Sequence, residues 1–334
     1  MSLRRGNEQP HSWIAAGVRL LVLLAAGPWL GVAHAQLPTA PPTLPAGQTV
    51  TVNGAKLWYI SEGRGEPLLI ISGGPGAAHY LYPYFSALQA THRVIYLDSF
   101  GTGKSDRAKT RAEYTLARHV DEIEGFREAL GLGPINVLGH SYGSLVAQAY
   151  ALKYPGAARR VILAAPFISG EAWQGGNDFV NESIRQHFPE IAARIEALRA
   201  RGLKESDKEL ADAVGSVPEE LLYYANVTNA GRLNVDFNLE VAFALGGDNT
   251  DFQVGGEIAA LDFRPKLRAL RAPLLVLAGR YDRVATPRFT QQFRAHVPQA
   301  EFVMFEKSGH NFFLEENAKM VETLRVFLAR PGLR

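Results

Sequence analysis

The chain has 334 residues, 47% of them hydrophobic and 20% charged, which is the make-up of a globular enzyme and excludes a disordered or fibrous chain. Of its 35 basic and 33 acidic residues, Arg4, Arg5, Arg19 and Glu8 lie in the first 35 positions, so 32 of each sign remain beyond them. That balance excludes the clustered basic surplus a nucleic-acid binder needs. With no cysteine, disulfide staples and a lipid-modified cysteine anchor are excluded too.

The N-terminus reads as a secretory signal over residues 1–35. Arg4, Arg5 and Arg19 supply positive charge, Leu20 to Val32 form a short apolar run, and Ala33-His34-Ala35 gives the small-x-small pattern before a cleavage point. The run is shorter than the ~20 residues that span a bilayer, so an exported protein, periplasmic or secreted and with no membrane span after cleavage near Ala35, is expected. Residues 36–47 form a proline-rich leader expected to be extended and mobile.

Folding is expected to start at Gln48. Thr49 to Val52 and Ala55 to Ile60 are β-prone and joined by Asn53-Gly54, a two-residue hairpin signal. Apolar runs without alternation follow at Leu68–Ser72, Arg93–Leu97, Ile135–Leu138, Val161–Ala165, Leu274–Ala278 and Phe302–Phe305. Such runs suit strands covered on both faces. The helix expected between the second and third, Leu116 to Leu130, carries the matching stripe Leu116, Val120, Ile123, Phe126 and Leu130. Repeated strand–helix units imply an α/β fold with a mostly parallel, doubly wound sheet over 48–169 and 266–334. Residues 170–265 lose the strand pattern and read as an inserted helical cap.

Gly139-His140-Ser141-Tyr142-Gly143 lies between an apolar run and a helical stretch, Leu145 to Lys153. A serine in so tight a strand-to-helix turn needs small neighbours two residues away on each side, and the turn exposes its hydroxyl at the helix N-terminus. A serine needs a base, and His310 stands after the last strand in Ser308-Gly309-His310-Asn311, where Gly309 is expected to let the loop approach the serine. His79, His92, His119, His187 and His296 read as surface or packing residues, and His140 as a packing or substrate-contacting one. The base needs an orienting carboxylate, and Asp282 follows a strand in Gly279-Arg280-Tyr281-Asp282. Asp98 and Asp106 fit a structural loop better. Ser72-Gly73-Gly74-Pro75-Gly76 would turn backbone N–H groups toward a developing oxyanion, with Gly74 and Tyr142 as the two donors.

These landmarks resemble those of the proline iminopeptidase family of α/β hydrolases, from about Gln48 to the C-terminus. They are Gly73-Gly74-Pro75-Gly76, Asp98 to Ser105, Gly139 to Ser144, Gly279 to Asp282 and Ser308 to His310. The resemblance implies the α/β-hydrolase fold, the Ser141–Asp282–His310 triad, no metal or organic cofactor, and release of N-terminal residues, often proline, from small peptides. It also implies cap carboxylates that hold the substrate's free amine, for which Glu182 and Glu240 are candidates. The sequence departs from the family at Ser72 in place of histidine, at Asp98-Ser99-Phe100-Gly101 in place of Asp-Gln-Arg-Gly, and in its Gly-His-Ser-Tyr-Gly turn in place of Gly-Gly-Ser-Trp-Gly. Two other functions fit the same scaffold: hydrolysis of esters, lactones or other small acyl compounds, and binding without catalysis. Gly101-Thr102-Gly103-Lys104-Ser105 imitates half of a phosphate-binding loop, but Asp98 stands where the required first glycine would be. No His-Glu-x-x-His or comparable metal-ligand cluster occurs.

Overall fold

The computed structural model describes residues 43–218, 222–229, 233 and 235–330. The expected signal segment, and the leader up to residue 42, lie outside them. At the described end of the leader the Trp58 indole N–H donates to the Ala46 carbonyl at 3.2 Å.

The first two strands, β1 (Gln48–Val52) and β2 (Ala55–Glu62), pair antiparallel with Val52 opposite Ala55. Asn53 and Gly54 have φ of 50° and 83°, the two positive values that match a tight hairpin to the strand twist. Six strands follow: β3 (Glu66–Ile71), β4 (His92–Leu97), β5 (Ile135–His140), β6 (Ala158–Ala164), β7 (Leu274–Gly279) and β8 (Glu301–Phe305). They complete an eight-stranded sheet in the order β1-β2-β4-β3-β5-β6-β7-β8, with all pairings from β4 to β8 parallel. Every residue of β5 and β7 is buried, as the unalternating apolar runs require. Helix α2 (Tyr142–Lys153) packs on β5 and β6, and α1 (Leu116–Ala129) on α2 and β1. Leu116, Val120, Ile123 and Phe126 of α1 are all buried.

From β3 the chain first moves one way, to β4, and then returns to place β5 on the other side. The loops leaving the C-terminal ends of β3 and β5 therefore diverge and open a crevice, the place where such sheets bind ligands. Ser72–Gly76 and Ser141 both stand there.

Between β6 and β7 the chain is helical, with α3 (Gly170–His187), α4 (Pro189–Ala200), α5 (Lys208–Val214) and α6 (Leu239–Gly246). No strand occurs among its described residues, only isolated bridges of Phe237 to Ala77 and Asp262 to Ser169. Ser169 caps α3 by accepting from the Ala172 N–H. This cap has a small core of its own, formed by Ile184, Ala192, Ile195, Leu198, Leu210, Ala213 and Val217. The chain ends on α7 (Asn317–Leu328). Among the described residues no helix is long and apolar enough to cross a membrane.

Candidate active site

Ser141 directly follows β5 and caps α2, with φ 54° and ψ −121°, a left-handed conformation that costs a non-glycine residue about 1–3 kcal/mol. Its surroundings force it. An added Cβ on Gly139 would come within 2.0 Å of the Gly143 carbonyl, and one on Gly143 within 2.4 Å of the Ile71 carbonyl. The turn is thus pressed against its own start on one side and the end of β3 on the other. β5 continues to His140, and the Ser141 N–H donates to the Ala164 carbonyl at 2.9 Å. Helix α2 accordingly begins at Tyr142, three residues earlier than the apolar pattern indicated.

Asp282 and His310 are brought together. His310 Nδ1 lies 2.9 Å from Asp282 Oδ2, and both side chains are almost wholly buried. The other oxygen, Asp282 Oδ1, accepts the N–H groups of Val284 and Ala285, each at 2.8 Å. The carboxylate is therefore fixed from both sides, and among the described residues its side-chain partner is the imidazole. The His310 ring packs on that of His140, centroids 4.8 Å apart, which puts it beside the residue preceding Ser141. Close backbone approach makes this possible. A Cβ on Gly279 would sit 2.0 Å from the Gly309 carbonyl, so the strand end carrying Asp282 and the loop carrying His310 nearly touch. Gly309 itself faces the cap rather than the serine: its Cβ would meet the Tyr223 carbonyl at 2.8 Å. Its small size serves cap docking.

The Ser72–Gly76 loop lies against the serine, since a Cβ on Gly73 would stand 2.8 Å from Ser141 Cβ. The Gly73 N–H is already used, donating to the Tyr80 hydroxyl at 3.1 Å. Gly74 follows at φ 114°. Tyr142 occupies the first position of α2, where a backbone N–H has no acceptor within its own helix. Its phenol is anchored away from the site, 2.9 Å from His119 Nδ1. Burial lowers the pKa of His119 to about 4, so this imidazole is neutral at pH 7.

A cavity of about 310 Å³ runs from Gly74 and Pro75 into the cap. Its walls are mostly apolar, with Trp173, Ile195, Phe237 and Phe252 among them. Arg199 and Glu205 add an ion pair with Nη2 and Oε1 3.0 Å apart. Neither candidate amine-binding carboxylate reaches it. Glu182 is exposed, accepts from Gln186 at 2.8 Å and pairs with Arg185 on α3. Glu240 forms a two-pronged pair with Arg111, at 2.8 and 3.1 Å. Glu205, in the turn between α4 and α5, is the acidic side chain the described cavity wall offers instead, and its charge-rich surroundings give no sequence signal to distinguish it.

Asp98 and Asp106 are structural. Fully buried Asp98 lies 3.0 Å from His79 Nδ1 and accepts the Lys104 N–H at 3.0 Å. It thereby holds the Gly101–Ser105 turn, which closes on a carboxylate rather than on a phosphate. His79 consequently has a carboxylate partner, which its loop position had not indicated. Asp106 accepts the Lys56 N–H at 2.8 Å.

The chain is similar to known proteins over most of its length. A proline iminopeptidase of Heyndrickxia coagulans is 28% identical over 280 residues, covering 81% of this chain and 93% of its own. One of Saccharolobus solfataricus is 28% identical over 274 residues, covering 81% and 87%. The crystal structure of proline iminopeptidase from Mycobacterium smegmatis superposes with a TM-score of 0.66 at 23% identity, over 85% of this chain and 97% of that one. Residues 66–203 and 246–317 match the alpha/beta hydrolase fold family, and with the sheet order, the strained serine turn and the cap between β6 and β7, the chain belongs to that family.

Proposed function

We propose that this protein is a serine hydrolase working through an acyl-enzyme, and that it acts as an aminopeptidase of proline iminopeptidase type on small peptides. The observation that carries the reading is the buried Asp282–His310 pair beside a serine held in a strained turn. Asp282 accepts the Nδ1 proton of His310, which leaves Nε2 bare to take the Ser141 proton as the hydroxyl attacks a carbonyl carbon. The carbonyl oxygen becomes an anion, met by the N–H groups of Gly74 and Tyr142. Such a donor is worth about 3–4 kcal/mol. The imidazolium, stabilised by Asp282, then protonates the leaving amine and the acyl group stays on Ser141. A water, deprotonated by Nε2, releases it. Each step draws on side chains and backbone alone. The curated relatives that are proline iminopeptidases support the amide substrate.

A second reading, hydrolysis of esters, lactones or other small acyl compounds, is favoured by one observation. The carboxylate at the described cavity wall, Glu205, is already paired with Arg199, and so is partly neutralised as a seat for a substrate ammonium. Labelling with a fluorophosphonate tests the chemistry: modification lost in Ser141→Ala supports the serine mechanism, and no labelling of the wild type favours a binding protein. Rates on Pro-, Ala- and Leu-arylamides beside p-nitrophenyl esters then decide the substrate, and activity on esters alone would discard the aminopeptidase. We further propose export with cleavage after Ala35. Intact mass of the protein recovered from outside the cytoplasm should correspond to a chain starting at Gln36.

A further inference from the structure

One hydrogen-bonded chain passes through the site without touching the cavity. The Gly73 N–H donates to the Tyr80 hydroxyl at 3.1 Å, that hydroxyl lies 2.5 Å from His140 Nδ1, and His140 Nε2 lies 3.1 Å from the His310 carbonyl oxygen. Proton counting orders it. A carbonyl can only accept, so His140 carries its proton on Nε2. Nδ1 is then bare and must receive the tyrosine's one proton, while the tyrosine oxygen accepts from Gly73. Burial, with the His310 ring next in effect, holds the His140 pKa well below that of a free imidazole, so it is neutral as the chain requires. Phe313 walls the chain in, its ring 5.1 Å from His140 and 6.0 Å from Tyr80.

The chain's ends are informative. Gly73 precedes the proposed oxyanion donor Gly74, His310 is the proposed base, and His140 adjoins the proposed nucleophile. Three loops, from the ends of β3, β5 and β8, are thus bolted together through one imidazole. The hydrogen bond to Tyr80 also occupies the Gly73 N–H, leaving Gly74 to face the substrate.

We propose that Tyr80 and His140 are positioning residues that hold the oxyanion loop and the His310 loop in a common register with Ser141. Their effect falls on transition-state stabilisation and not on substrate binding. This rests on the proposed serine mechanism.

The test uses the purified protein, a p-nitrophenyl ester, and an alkyl trifluoromethyl ketone that forms an anionic tetrahedral adduct with a reactive serine. Tyr80→Phe and His140→Asn should each lower kcat about 10- to 100-fold, the range for a small misplacement of reacting groups, with KM within about twofold. Affinity for the ketone should fall in proportion to kcat. His140→Gln, whose amide can still donate toward the His310 carbonyl, should recover part of the loss. The double variant Tyr80→Phe/His140→Asn should be no worse than the weaker single variant, because each breaks the same chain. Folded variants with lowered Tm but unchanged kcat and ketone affinity would overturn the proposal. If the variants do not fold, ¹⁵N shifts of the wild-type imidazoles decide: at neutral pH His140 should be the Nε2–H tautomer, and an Nδ1–H or doubly protonated ring would overturn it. Loss of activity in Ser141→Ala with no effect of Tyr80 or His140 would sink this inference alone. Full activity in Ser141→Ala would sink the mechanism beneath it.

Discussion

The serine turn and the cap are built on different principles. Around Ser141 the constraints are backbone against backbone: Gly139, Gly143 and Gly279 each leave no room for a Cβ, and the Asp282, His310 and His140 side chains beside it are buried and hydrogen-bonded. In the cap, charged side chains pair at the surface, as Arg185 does with Glu196 and Arg201 with Glu209, over a small core separate from the main one. Exposed pairs of this kind contribute little to stability. The turn therefore has one geometry it can adopt, whereas the cap can exchange residues at modest cost. Rigid chemistry beneath a replaceable lid is how one fold serves many substrates.

Four experiments can break or sharpen this contrast, and the largest effect is expected at the turn. Ser141→Ala should reduce kcat by about 10⁶-fold, the scale seen when a triad serine is removed, with thermal unfolding unchanged. A variant retaining most activity would end the proposed mechanism. Ile195→Ala empties a nearly buried position in the cap core that also lines the cavity. It should cost about 2–5 kcal/mol locally and appear chiefly as raised KM and faster amide exchange in α4, with kcat little changed. An equal loss of kcat would mean that the cap and the turn are not separable.

A smaller effect is expected from Glu122, buried on α1, where it accepts the Phe100 N–H at 3.2 Å and pairs with Arg118 at 3.0 Å. Burial raises its pKa to about 7. The folded state thus binds more protons than the unfolded one between pH ~4.5 and about 7, and stability falls as pH rises through that window. Glu122→Gln, which removes the titration, should gain in Tm relative to the wild type on going from pH 5 to pH 8. A constant difference across that range would refute the shift. The smallest effects belong to Glu182→Gln and Glu240→Gln. Both carboxylates are exposed and engaged away from the cavity, so KM on any amine-bearing substrate should change by less than about twofold, as expected of surface pairs. A tenfold rise would show that the cap rearranges to use them.

Sequence reading was strongest where local chemistry and long-range packing demand the same residues. Asn53-Gly54 turns a hairpin whatever lies around it, and β5 and β7 are buried throughout, as strands covered on both faces are. The order of turn, carboxylate and histidine along the chain follows from the order of strand ends. Gly139 and Gly143 were legible for a related reason, since a close approach of two backbones leaves glycine as the residue that fits.

Legibility failed where a side chain's role depends on what reaches it from a distant segment. Glu240 looked like any cap carboxylate, and only the fold shows that Arg111, 129 positions away, holds it on the outside. Glu205, in the turn after α4, meets Arg199 at the cavity, a placement no local pattern records. Gly309 sits beside His310 in the chain, yet its lack of a side chain makes room for Tyr223.

The amino-acid sequence alone determined the strand runs, the strained serine turn and which three residues stand past the C-terminal ends of β5, β7 and β8, because backbone sterics and the burial of apolar faces act on short segments. Tertiary structure alone decided which carboxylates face a substrate and which tyrosine meets which histidine. The bonds of His140 to Tyr80 and to the His310 carbonyl join residues 60 and 170 positions apart, and such distances are closed only when the sheet has ordered its strands.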